Sequence, residues 1–336
     1  MKSILPILAA LLALPAWAQT PAPQTAGPPP ALGLPIACSP GRDCYIQNYV
    51  DADPGPGFKD HKCGRHGYDG DTGTDFRLPG FAAMRRGVAV VAAAPGVVRA
   101  VRDGEPDTGL PPEGEAKLAG KFAGNGVVLD HGGGWTTQYS HMRQGSIRVK
   151  PGERVTAGQP LGLVGYSGRT QFPHLELIVR QGDRIVDPFV GPAEGWTCGG
   201  PRKPLWSEQA LAALPYEPTH ILSAGFAPDR VDVNALREGA YDNPALPSSA
   251  ERLILWADVM GLEQGDRVEL RLRDAAGNVV ARKDEEMDRD RAIQVVGVAL
   301  PRPPGGWLPQ RYVGIVRVVR GGGDVDVERR EFEVGG

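Results

Sequence analysis

Neither sign of charge is in excess in this 336-residue chain: 37 Lys and Arg face 40 Asp and Glu, for a formal net charge of −3. Without a basic stripe or a run of like charge, the chain has no electrostatic footprint for nucleic acid. Cys-x-x-Cys pairs are also missing, which argues against a thiolate zinc cluster. After the first twenty residues no apolar run approaches the roughly 20 residues that a membrane helix needs. What remains is a globular composition, 41% hydrophobic and 23% charged, long enough for two domains of ordinary size.

The first twenty residues, MKSILPILAALLALPAWAQT, carry one Lys, an apolar run and the small-x-small site Ala16-Trp17-Ala18. They read as a secretory signal peptide over residues 1–18, cleaved before Gln19; a membrane anchor is disfavoured because the run is short and nothing basic follows. The expected location is therefore secreted, periplasmic or in the cell envelope. In an oxidising compartment Cys38, Cys44, Cys63 and Cys198 are an even set that favours two disulfides. Of the three possible pairings, the expectation is Cys44 with Cys63 and Cys38 with Cys198.

Residues 19–35 are Pro-rich and aperiodic, so they read as an extended linker. Short β-like runs punctuated by glycine follow: VAVVAAAPGVVRAV at 88–101, GVVLD at 126–130, Trp135 to Tyr139 and HLELIVR at 174–180. Strands this short, with turns this frequent, predict an all-β fold with an antiparallel sheet and few helices. Residues 104–121 form a polar insert between two strands. A brief helical pattern near Leu205 to Leu214 gives a short helical linker at 206–214 between domains at 36–205 and 215–336. In the second domain Val268, Leu270 and Leu272 alternate with charged residues, and Asp274-Ala-Ala-Gly-Asn278 has turn chemistry, which predicts a hairpin. Further strands at 312–319 and 331–334 suit a small immunoglobulin-like β-sandwich. It shows no cluster of polar or aromatic residues, so a spacer or docking role is expected.

The chemistry concentrates in Tyr68-Asp-Gly-Asp-Thr-Gly-Thr-Asp-Phe76. Asp69 and Asp71 start like a calcium loop, but Gly73, Thr74 and Gly80 stand where such a loop needs a polar ligand, a glycine and a glutamate. An alternative is the pair Asp71 and Asp75. Downstream, His174 and Glu176 are two apart in a predicted strand and share a face. Thr137, Tyr139 and His141 would share a face of another. Carboxylates on a turn, with imidazoles on two strands, make up the composition of a hydrolytic metal site. Trp135, Tyr139 and Phe172 are candidates for a groove lining, although aromatic residues in strands are more often core. His131 reads as a strand-end residue and Gly124-Asn-Gly126 as a tight turn.

In order along the chain, Asp71-Thr-Gly-Thr-Asp75, GVAVVAAAPGVV (87–98), GNGVVLDHGGGWTTQYSHM (124–142), VKPGERVTAGQPLGLVGYSG (149–168), FPHLELIVR (172–180) and Val186-Asp-Pro-Phe189 resemble the M23 peptidases. These are the lysostaphin- and LytM-type zinc endopeptidases that cut peptidoglycan cross-bridges. The resemblance implies an antiparallel β-sheet groove over residues 36–205. The family's first motif is His-x-Gly-x-Asp and its last is His-x-His. Carried over, Asp75 keeps a metal-ligand role and His141 and His174 keep catalytic roles. Asp71 and Glu176 stand where the resemblance places the two zinc-binding histidines.

Two imidazoles and one carboxylate leave a bound Zn²⁺ net positive and bring the pKa of its water to about 7. Three carboxylates bring the local charge to about −1, weaken the Lewis acid and shift preference toward Ca²⁺, Mg²⁺ or Mn²⁺. Without a metal, one carboxylate should hold a proton or pair with His141 or His174. A rescue in which His141 and His174 bind zinc with Asp75 would consume the groups that serve the reaction. His66 is a further reserve ligand. The expectation is an exported cell-wall protein with a degenerate metal site, holding peptidoglycan peptides or regulating a separate wall hydrolase, as degenerate LytM relatives do for amidases. The competing classes are a metallo-endopeptidase with an unusual ligand set and a purely structural envelope protein.

Overall fold

The computed structural model describes residues 27–335 except 54, 112 and 194; the signal peptide and the first part of the Pro-rich stretch lie outside the described residues. The first half is built on an eight-stranded sheet. Its antiparallel path runs Tyr45–Asn48, Thr74–Arg77, His174–Gln181, Trp135–Met142, Asn125–Gly132, Gly96–Arg102 and Arg154–Val155, and Arg184–Ile185 pairs with the end of His174–Gln181. The two strands at its centre, Trp135–Met142 and His174–Gln181, are eight residues each and alternate as their sequences require. Leu175, Leu177 and Phe76 point to the buried side at 0% exposure, which leaves Asp75, Arg77, His174 and Glu176 on the other. Period-two alternation makes that division in the strands Thr74–Arg77 and His174–Gln181.

Of the aromatic residues that could have lined a groove, Trp135 and Tyr139 are core and Phe172 is not. Trp135 is 1% exposed and its Nε1 donates to the Gly27 carbonyl at 3.0 Å. The Tyr139 hydroxyl accepts from Ala93 N at 2.8 Å and from Thr137 Oγ1 at 3.2 Å, deep under the sheet. His131 ends its strand as expected, with Nδ1 2.7 Å from the Pro95 carbonyl and Nε2 2.8 Å from Thr137 Oγ1.

Three expectations need correction. The disulfides are Cys38–Cys44 and Cys63–Cys198. Cys38 and Cys44 flank a tight turn in which Arg42 N and Asp43 N both bond the Ser39 carbonyl, so their Cα atoms are 6.1 Å apart. That separation is within disulfide reach, which leaves Cys63 to close on Cys198. The linker reading of 19–35 ends too late, because Leu32 is 0% exposed and its N–H bonds the Leu205 carbonyl at 2.8 Å. The 206–214 segment does contain a helix, Glu208–Ala212 capped by Ser207, but Trp206, Ala210 and Leu214 pack into the first core instead of bridging two domains.

The second half encloses its own core, from Ile221 to Val334, between two antiparallel sheets. One holds His220–Pro228, Arg252–Leu262 and Arg291–Pro301; the other holds Val279–Glu286, Arg267–Arg273, Gln310–Arg320 and Gly323–Val334. Val268, Leu270 and Leu272 are all 0% exposed, and the hairpin turns at Asp274–Asn278 as predicted. The halves meet through side chains: Tyr45 packs with Leu222 and Met260, and Arg85 pairs with Glu238.

The core reading of Tyr139 is testable. Tyr139→Phe strands the buried Ala93 N–H, so thermal or denaturant unfolding should show a loss of about 1–3 kcal/mol. Unchanged stability would mean that the hydroxyl is not bonded there.

Candidate functional site

The strand pairing assembles the cleft. Thr74–Arg77 lies beside His174–Gln181 with Asp75 opposite Glu176, which sets two carboxylates side by side. On the far side Glu176 faces Ser140 in Trp135–Met142, and on the near side Asp75 faces Asn48 in Tyr45–Asn48. Asn48 Nδ2 donates to Asp75 Oδ2 at 2.8 Å. Gly73 is needed at the turn, since a Cβ there would stand 2.5 Å from Glu176 Cγ.

His141 reaches the cleft by a route other than alternation. Strict period two would place it with Thr137 and Tyr139 on the core face. Its φ of 61°, in the left-handed region, turns it out of the strand's pattern. Its amide donates to the Ala123 carbonyl at 2.9 Å and its Nδ1 sits 2.8 Å from the Ser167 carbonyl. His174 Nδ1 is 3.0 Å from both the Phe172 carbonyl and Thr170 Oγ1. In both rings Nδ1–H is therefore the donor and Nε2 carries the lone pair. The ring centroids are 4.5 Å apart.

Each Nε2 faces a carboxylate, His141 toward Glu176 Oε2 and His174 toward Asp75 Oδ1, both at 3.6 Å. These four side chains line one cleft of about 460 Å³. Gln47, Asn48, Tyr68, Leu110, Arg169 and Phe172 complete most of its wall, and Ala292 of the second half reaches its edge. Asp71 is different. It lines a neighbouring, larger cavity of about 590 Å³ with Asp51, Asp69 and Trp196. Gly73 N donates to its Oδ1 at 3.2 Å, while its Oδ2 is buried without a partner. The larger cavity holds neither histidine, so the chemistry belongs to the smaller one. His66 stays away from both, with Nε2 3.7 Å from Glu263.

Burial dominates the ionisation here. It raises Asp75 well above the ordinary carboxylate range, with Asp71 and Glu176 adding repulsion. Asp71 is pushed up to about 7 by burial, opposed by its bond from Gly73 and reinforced by Glu176 and Asp51. Burial lowers both imidazoles to about 4; His174's charge lowers His141 further, and Arg77 does the same to His174. Arg77 is itself buried, 4.3 Å above the Phe172 ring, which in turn lies 4.7 Å from His174. Asn48, Tyr68, Thr170 and Arg77 were not singled out from sequence. Asn48 lies far from the histidines along the chain and no local motif marks it, while Tyr68 opens the acidic turn but has no role assigned by its spacing.

Zinc bonds of about 2.0–2.2 Å place tetrahedral donors about 3.4 Å apart. Among the described residues no three of Asp71, Asp75, His141, His174 and Glu176 bring a donor atom each within 4.8 Å of one another. The grouping that does is Cys38, Asp43 and Cys44, whose sulfurs are joined to each other. The donors fall into two imidazole–carboxylate pairs with Asp71 behind them, which does not fit a tetrahedral zinc centre.

The cleft is thus floored by an antiparallel sheet and walled by imidazoles and carboxylates. Residues 71–188 match the model of the family described as Peptidase family M23, and the chain carries an M23 peptidase domain there. The peptidoglycan DD-endopeptidase ShyA of Vibrio cholerae serotype O1 is 49% identical over 61 residues, 18% of this chain and 14% of that protein. The cell division protein DipM of Caulobacter vibrioides is 35% identical over 78 residues, 22% of this chain and 12% of that protein. The chain thus spans well under a fifth of the length of these relatives. Among solved structures, the catalytic domain of the prophage-encoded M23 protein EnpA from Enterococcus faecalis is 23% identical, covering 50% of this chain and 98% of that one at a TM-score of 0.31.

Linkage gives a test of the buried carboxylate. Asp71 has a folded value above its ordinary 3.8, so its contribution is full below that pH and is lost as pH rises toward about 7. The histidines run oppositely: lowered from 6.5 to about 4, their contribution is full above 6.5 and lost as pH falls through 4. Asp71→Asn keeps an acceptor for Gly73 and removes only the first effect. Its unfolding free energy should exceed the wild type's at pH 8 and converge with it at pH 4, the gap opening by about 1.4 kcal/mol for each pH unit crossed between the two pKa values. A gap independent of pH would contradict the burial of an ionisable Asp71.

Proposed function

We propose that the chain is an exported wall protein that holds peptidoglycan peptides in an M23-type groove without hydrolysing them. The observation that carries this reading is the register that sets Asp75 beside Glu176, because Glu176 stands where the resemblance to M23 peptidases puts an imidazole. Asp71 makes the same exchange, and its carboxylate lines the cavity next door. An oxygen-rich set binds zinc poorly and deprotonates its water reluctantly. His141 and His174 then remain as recognition groups, and Asp75, Glu176 and the cleft's polar wall serve the same end. The names of the relatives, a peptidoglycan endopeptidase and a cell division protein, support a wall ligand. The Ala16-Trp17-Ala18 cleavage site and the two disulfides are in keeping with export. Regulation of a wall amidase is compatible with the same groove; the second half, with Ala292 at the cleft's edge, gives it a surface beside the ligand.

Purified protein mixed with isolated sacculi should co-sediment with them and release no muropeptides. Asp71→His combined with Glu176→His should bind zinc stoichiometrically and gain measurable muropeptide release. Turnover by the wild-type protein would refute the non-hydrolytic reading, and failure to sediment with sacculi would refute wall binding.

A further inference from the structure

The larger cavity, next to the cleft, has polar capacity that the fold leaves unused. Asp71 and Asp187 both line it and are 3% and 9% exposed. Each is anchored through one oxygen: Gly73 N donates to Asp71 Oδ1 at 3.2 Å and Phe189 N donates to Asp187 Oδ1 at 2.7 Å. The other oxygen of each carboxyl, Asp71 Oδ2 and Asp187 Oδ2, is buried without a hydrogen-bond partner among the described residues. Such an oxygen is costly, and two in one wall call for a partner from outside the protein. Asp51, in the same wall, is already spent, because Asp53 N, Lys59 N and Gly70 N fill its oxygens. Arg184 bonds Gln181 and the Pro192 carbonyl and has further N–H donors to give. Trp196 adds a half-buried indole, on a segment that the disulfide Cys63–Cys198 ties down.

The complement must bring both donors and acceptors, and no net charge. A metal ion or an ammonium needs several acceptor atoms in close convergence, and no three acids of this wall come within 4.8 Å of one another. Arg184 also opposes a cation, and burial pushes Asp71 and Asp187 each up to about 7, which thins their charge. An anion meets Asp51 and Asp69 in the same wall. A neutral sugar meets neither objection. Each of its hydroxyls is donor and acceptor at once, so it pairs with a carboxyl in either protonation state and with the Arg184 fork. The C–H face of its ring is apolar and suits an indole. A volume of about 590 Å³ has room for a sugar residue with its substituents.

Position ties this cavity to the cleft. The acidic turn is their common wall, with Tyr68 in the cleft and Asp69, Asp71 and Thr72 in the cavity. In peptidoglycan each stem peptide branches from a sugar, so a peptide in the cleft carries a sugar residue close by. We propose that the cavity of Asp71, Asp187, Arg184 and Trp196 is a saccharide site, which receives a neutral sugar residue of the wall glycan while the attached peptide enters the cleft. The proposal rests on the wall-binding reading above and adds the part of the polymer that the second cavity holds.

The probe is the N-acetylglucosamine trisaccharide, neutral and free of peptide, titrated into the full mature chain by calorimetry. It should bind, and Trp196→Ala should weaken it at least about tenfold, the loss expected for an aromatic anchor. Trp196→Phe keeps a flat ring and should stay within about threefold of the wild type, which separates a lost contact from a misfolded wall. No binding of the trisaccharide, or equal binding by Trp196→Ala, would overturn the proposal. Glycan strands freed of peptide separate it from the reading it rests on. If sacculi sediment the protein and peptide-free strands do not bind it, wall binding stands and the saccharide site falls. If the trisaccharide and the strands bind and a short wall peptide does not, the saccharide site stands and the peptide groove falls.

Discussion

Everything in the cleft depends on the register that sets Asp75 opposite Glu176 on adjacent antiparallel strands. The two carboxyl groups cannot separate without breaking the ladder, and the apolar face beneath them, with Phe76, Leu175 and Leu177, resists any slip. A one-residue shift would bury the acids and expose the core. The sheet thus imposes a cost on the site, with like charges close together and little water to screen them. The surroundings offset that cost in part. Asn48 donates to Asp75, and burial raises that carboxyl well above the ordinary range, which favours a proton on the oxygen that faces the His174 lone pair.

The same register explains why an apparently modest exchange has a large chemical effect. On the proposed reading, in which Glu176 stands where the M23 resemblance puts an imidazole, a second acid lies next to Asp75, where a neutral nitrogen would have balanced it. Asp71 lines the neighbouring cavity yet still adds its charge to the repulsion on Asp75, and the other four groups stand as two pairs. Electrostatics and geometry both support the proposed reading, since an acid-rich surround weakens a Lewis-acid metal.

Much of this was legible from strand periodicity and motif order. HLELIVR announces that His174 and Glu176 share a face, and the turn around Gly73 announces that two acids flank it. His141 was placed in the right cleft for the wrong reason, because alternation says nothing of a residue with φ of 61°. The support given by Asn48, Arg77 and Thr170 was not legible, since it depends on which strands become neighbours. The disulfide pairing was hidden for a similar reason: the turn at Ser39–Asp43 brings Cys38 back to Cys44, and sequence spacing does not reveal that closure. The second half read as a plain sandwich, yet Ala292 reaches the cleft, a relation that only the packing of the two halves discloses.

The central claim is that acids standing in for imidazoles have ended tight zinc binding in this groove. Metal analysis of the protein, purified from its native compartment without chelators, tests it directly. The account predicts zinc far below one equivalent per chain. A full equivalent that survives dialysis and is lost on replacing Asp75 would contradict it.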